Sequence, residues 1–170
     1  MAVVTLAGSR IMTGLANTPP DMSEAGQAGG KIRQWIETVE VGVADTHTST
    51  YLMARLPSNA RIDPSSTLYW DDLTTTGAAT VDIGVFNQSG KSDITDDADA
   101  LSSGHDVTSA GNGLVTGPAA QIANYGLPLW DYVNGATVDP NVPLDIKATL
   151  QDAAVAGGGT MTLVLNYTID

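Results

Sequence analysis

The chain has 170 residues, no Cys and a formal net charge of -12, with seven Lys and Arg set against nineteen Asp and Glu. That length suits one domain with its own core, and the missing thiols exclude a disulfide scaffold, a thiolate zinc site and a cysteine nucleophile. Too few cations remain to neutralise phosphates, and no run approaches the roughly 18 apolar residues of a membrane span, so neither nucleic acid nor a membrane is expected as a direct partner.

The opening Met1-Ala-Val-Val-Thr-Leu has no basic residue ahead of its apolar stretch, so it does not read as a secretory signal and a soluble product of the cytoplasm is expected. Residues 8–30 hold five Gly and the pair Pro19-Pro20 with few large apolar side chains. Residues 1–30 therefore read as an extended arm ahead of a domain at 31–170, either an unordered terminus or a segment that orders against a partner.

The composition of the whole chain favours strands, with twenty Thr and fourteen Val against three Lys and three Glu. In 31–43, Trp35, Val39, Val41 and Val43 share one face, interrupted by Glu37, and Gln34, Ile36, Thr38 and Glu40 share the other. The pattern predicts a half-buried strand. A second strand at 51–56 leads through Pro57-Ser58-Asn59 to a third at 60–72, whose Leu68 and Trp70 point inward and whose Pro64 requires a sheet edge or a bulge. A fourth at 80–86 aligns Val81, Ile83 and Val85.

Short helical turns are predicted at 93–101 and, after Pro128, at 129–133, while 103–126, rich in Gly, Ser and Asn, reads as a long excursion. Strict alternation returns in Val142, Leu144, Ile146, Ala148 and Leu150, and again in Met161, Leu163, Leu165, Tyr167 and Ile169, with 153–159 predicted to join them as a hairpin. Seven or eight such strands without a repeat predict an all-β fold, an antiparallel two-sheet β-sandwich of jelly-roll type. Trp35, Trp70 and Trp130 are expected in its core.

Catalytic and metal signatures fail on spacing. Five residues separate Gly84 from Gly90 before Lys91-Ser92, where a phosphate loop needs four, and the run from Gly111 to Gly117 has one residue too many for a dinucleotide fingerprint. His105 and Asp106, adjacent on an extended chain, point apart, so a solvated loop histidine is expected. Asp93, Asp96, Asp97 and Asp99 lack the glycine turn and closing Glu of a calcium loop and read as a solvated acidic helix start. Asp71-Asp72 reads as a strand-end turn rather than an acid and base pair. No catalytic residue, cofactor or metal ligand is assigned, and the chain is not expected to be an enzyme.

The charge is unevenly placed. Through residue 61, five cations balance five carboxylates; beyond it, fourteen carboxylates face only Lys91 and Lys147. The split suggests one region that docks and another that stays wet.

Three runs then carry a resemblance: Leu52-Met-Ala-Arg-Leu-Pro57-Ser58-Asn59-Ala60-Arg61, Leu68-Tyr-Trp-Asp71-Asp72, and Val81-Asp82-Ile83-Gly84-Val85-Phe86. With Pro128-Leu-Trp130 and the opening residues, they resemble the capsid decoration, or cement, proteins of tailed bacteriophages. The resemblance covers about residues 50–90 well and the C-terminal third loosely. It implies a β-sandwich, commonly a homotrimer, seated on the exterior of the virion capsid where it bridges and stabilises subunits of the major capsid protein. On that reading Arg10, Lys31 and Arg33 are the candidate capsid contacts. The competing readings are a carbohydrate- or receptor-binding sandwich, with Tyr69, Trp70 and Tyr125 stacking on sugars, another virion part such as a head-fibre base or tail component, and a hydrolase using Asp71 or Asp72.

Overall fold

A computed structural model describes residues 31–43, 45–73, 78–88, 94–115, 126–133 and 137–169. Within them the chain forms β1 (Arg33–Val41), β2 (Thr50–Pro57), β3 (Ala60–Ile62), β4 (Thr67–Trp70), β5 (Thr80–Asn87), β6 (Asp97–Asp106), β7 (Gly111–Leu114), a one-turn helix α1 (Leu129–Tyr132), β8 (Pro143–Gln151) and β9 (Gly159–Ile169). Residues 1–30, including Arg10 and the expected arm, lie outside the described residues.

Two antiparallel sheets form the sandwich the alternation predicts. Sheet I runs β1-β9-β4-β7, with β3 also paired to β9, and sheet II runs β2-β8-β5-β6. The alternating apolar residues fill the space between them: Leu56, Leu68, Ile83, Leu144, Ile146, Leu150, Met161 and Leu163 are all essentially inaccessible. Most strands hide one face there, and at about 0.8 kcal/mol per buried methylene these residues supply the main drive to fold.

Pro64 acts as expected. The predicted third strand divides into β3 and β4, both paired in line to the same edge of β9. Across the gap the buried Ser66 hydroxyl takes over the ladder. Its Oγ accepts the Asn166 N–H at 2.9 Å and lies 2.7 Å from the Asp63 carbonyl, to which it can donate. The lost backbone pairing is thus replaced by a side chain, as a buried N–H requires.

Three sequence expectations are corrected. Residues 153–158 do not close a hairpin, because β8 pairs with β2 and β5 in sheet II while β9 pairs with β1, β3 and β4 in sheet I. The link crosses one end of the sandwich, where the Val155 N–H donates to the Asp45 carbonyl at 2.9 Å and the Val155 side chain is buried. Alternation tells which face a strand buries but not which strand lies beside it. Of the helical turn predicted at 93–101, the described residues 94–101 are instead the approach to β6 and its first half. Pairing with β5 overrides the local acidic pattern, through register shifts between Val81 and Ile83 and between Ile83 and Val85.

Gly84, read above as part of a failed phosphate loop, sits at this seam: a Cβ there would lie 2.1 Å from the Asp97 carbonyl oxygen. The 103–126 excursion is shorter than it looked, since 103–106 complete β6 and 111–114 form β7. Gly113 is required there because a Cβ would meet the His105 ring at 2.5 Å.

The helical turn expected at 129–133 is α1. It packs on β3, buries Leu129 and Tyr132, and is tied to the β2–β3 turn by the Trp130 N–H donating to the Ser58 carbonyl at 3.1 Å.

Candidate functional site

The strand registers sort the charges by end. Arg33 and Arg61 sit on strands flanking β9, opposite Tyr167 and Thr168, so both lie at the end where β1 begins. Lys31 precedes them, and both Lys31 and Arg33 are exposed. Arg55, near the end of β2, donates to Asp145 through Nε at 2.6 Å and Nη2 at 3.1 Å, a two-point pairing that holds its guanidinium charged. Arg61 donates to the Gly126 carbonyl. The described cations of the first 61 residues therefore collect at one end of the sandwich, alongside Asp63, Asp96, Asp97, Asp131, Asp139 and Asp145.

Glu40, Asp45, Asp71, Asp72, Asp106 and Asp152 occupy the opposite end, with no Lys or Arg there among the described residues. Three of these carboxylates are held as anions by local donors. Asp45 accepts from the Tyr51 hydroxyl at 2.5 Å and the Gly42 N–H at 2.9 Å. Asp71 accepts from the Thr160 N–H and hydroxyl, both at 2.8 Å, and Asp106 from the Thr108 hydroxyl and N–H at 2.6 and 2.9 Å. Hydrogen bonding to the ionised form lowers each carboxyl below the usual range, for Asp45 chiefly through Tyr51 and for Asp71 through Thr160. Asp71-Asp72 is the strand-end turn expected.

The two sheets also differ on their outer faces. On sheet II, Arg55, Asp145 and Phe86 form one cross-strand row, Leu52, Lys147 and Gly84 the next, and Thr50, Thr149 and Asp82 a third. The Lys147 ammonium stands 4.6 Å from the centre of the Phe86 ring. Asp82 accepts the Gly104 N–H at 2.7 Å, yet burial, with Asp99 nearby, pushes its carboxyl upward. On sheet I the corresponding rows are Ile36, Val164, Thr67 and Leu114, then Thr38, Thr162, Tyr69 and Asn112. Neither row carries an ionisable acid or base other than the Tyr69 phenol.

Other singled-out residues take structural places. His105 is not a solvated loop histidine: it lies on β6 against Trp70, ring centres 5.4 Å apart, with Nε2 2.9 Å from the buried Ser102 hydroxyl. Burial pushes its imidazole down from the ordinary value, outweighing the attraction of Asp82. Trp70 is in the core as expected and donates its indole N–H to the Ser109 carbonyl at 3.0 Å, so it presents no stacking face for a sugar. Trp130 is partly buried against the same core. Trp35 departs from expectation. It is 38% exposed, because β1 is an edge strand with only β2 across from it, and its indole N–H caps the Met53 carbonyl at 3.0 Å.

Asp93 and Tyr125 lie outside the described residues. Of the remaining acidic run, Asp96 accepts the Asn87 N–H at 2.6 Å and Asp97 accepts the Asp99 N–H at 3.3 Å. Among the described residues no three His, Asp or Glu side chains converge as a metal site.

No family model and no curated protein matches the chain. Solved structures do. A chain of the cyanophage Pam1 capsid asymmetric unit superposes with a TM-score of 0.56 at 16% identity, covering 91% of this chain and 96% of that one. A chain of the Ralstonia phage GP4 capsid superposes with a TM-score of 0.60 at 17% identity, covering 88% of this chain and 92% of its counterpart. The chain shares its fold with these two phage capsid chains. At such identities the likeness is one of architecture, and it extends over nearly the full length of both partners.

Proposed function

We propose that this protein is a structural component of a tailed-phage virion that decorates the outer surface of the capsid. There it bridges subunits of the major capsid protein and stabilises the shell as a homotrimer, without catalysis and without contacting nucleic acid directly. The observation that carries the reading is the near full-length likeness to chains of two phage capsids. It agrees with the decoration-protein resemblance of residues 50–90.

The charge layout supports an orientation. The end carrying Lys31 and Arg33, where the described chain begins, faces the shell, and the acidic end, which has no Lys or Arg among the described residues, faces solvent and keeps particles apart. Three linked protomers seat together at high effective concentration, so a modest contact per protomer suffices. In a cosedimentation assay with empty shells of the phage that encodes the protein, Lys31→Glu with Arg33→Glu is expected to weaken binding at least tenfold at low salt. Undiminished binding by this variant, and by a chain lacking residues 1–30, would overturn the assignment of this end to the shell.

A further inference from the structure

The outer face of sheet I has three properties that belong together. It presents large apolar groups to solvent: Ile36 is 59%, Tyr69 48% and Leu114 56% exposed. Its two central rows carry no carboxylate, ammonium or guanidinium on a chain whose net charge is -12. Several of its polar groups also satisfy one another, most of them across the strands. The Thr38 and Thr162 hydroxyls are 2.9 Å apart, the Gln34 amide donates to the Asn166 side chain at 3.0 Å, and Asn166 donates to the Ser65 hydroxyl at 2.9 Å. The Thr67 hydroxyl donates to the Ser65 carbonyl at 3.1 Å. The groups paired in this way can be dried without being stranded.

We infer that this face is where copies of the chain meet, the β1 side of one protomer against the β4–β7 side of the next around the threefold axis. The inference rests on the trimeric reading above and assigns its surface. Self-association imposes a condition that a foreign partner does not: each face meets one bearing the same chain's charges. The described cations of the first 61 residues sit at the end given to the shell, and beyond residue 61 fourteen carboxylates face two Lys; with that end occupied, an acidic patch finds no basic patch on a second copy. Arg55 is already paired with Asp145 and Lys147 is seated over Phe86. Drying fixed charges would be costly, which removes sheet II, with the part-exposed Arg55–Asp145 pair and Lys147 on its outer face, and the acidic end. Sheet I is the large face that can meet its like.

The test is sedimentation equilibrium and light scattering on the full chain. The native protein is expected to be a trimer. Ile36→Asp and Leu114→Asp are each expected to weaken assembly at least tenfold while keeping the native far-UV spectrum. Leu52→Asp, at a 47% exposed position on the outer face of sheet II, is expected to remain trimeric. An equimolar mixture of Ile36→Asp and Leu114→Lys chains is expected to recover oligomers that neither forms alone. A native chain that is monomeric at every concentration overturns the trimeric reading, and the inference with it. Face variants that stay trimeric overturn the inference alone; if they also lose shell binding, the shell is the occupant. Should Ile36→Asp fail to fold, Leu114→Asp on the short edge strand decides the question.

Discussion

His105 shows how burial, rather than chemistry, sets the behaviour of a residue that resembles a ligand. Packed on Trp70 and facing the Ser102 hydroxyl, it stays neutral in the folded protein, with its pKa below the ordinary 6.5. Stability from this group is complete above 6.5 and is lost as pH falls through the depressed folded value, because the unfolded chain takes up the proton first. Asp82 acts in the opposite sense at lower pH. Its raised carboxyl favours the protonated form in the fold, so acidification relieves a cost there. Thermal melting followed from pH 7.5 down to 5 is therefore expected to show a falling midpoint. His105→Gln, which cannot take up a proton, is expected to flatten the part of the fall that begins near 6.5. An identical pH profile in the variant would contradict this account of the residue.

The seam between β5 and β6 depends on a missing side chain. Gly84 lies where the Asp97 carbonyl and the Ala98 backbone approach within 2.5 Å of a Cβ position, and because these are backbone atoms there is no flexible side chain to give way. Gly84→Ala is expected to destabilise the protein by about 1–3 kcal/mol in urea unfolding, the range for overpacking a tight site; a neutral effect would mean that the strands separate freely.

This seam also shows what the sequence could convey. Val81, Ile83 and Val85 announced the buried face of β5, and β8 and β9 were equally legible, because period-two alternation is a property of a single strand. Nothing in 93–101 announces β6, whose pairing depends on bulges and on a partner more than ten residues away. The error at 153–159 has the same origin, since neighbours in sequence need not be neighbours in a sheet. For the same reason the outer face of sheet I could be read only in part. Gln34, Ile36, Thr38 and Glu40 were placed together from one strand, but that Tyr69, Leu114 and Val164 join them follows only from the order β1-β9-β4-β7.

On the scale of the whole molecule, the net charge of -12 resolves into a direction. Lys31, Arg33, Arg55 and Arg61 gather where β1 begins and β9 ends, while the far end is acidic and held so by the donors around Asp45, Asp71 and Asp106. Sequence order anticipated this only coarsely, because Glu40 and Asp45 precede residue 61 yet lie at the acidic end. One end holding the described cations, one face whose two central rows lack fixed charge and one acidic end fit the proposal of a molecule seated in number on a surface. The most direct test of that claim is a titration of purified empty capsids of the encoding phage with the full chain, measuring the protein recovered in the capsid pellet. The account predicts saturation at a fixed ratio of chain to capsid subunit, with binding weakened by salt. Recovery that never exceeds the capsid-free control would contradict it.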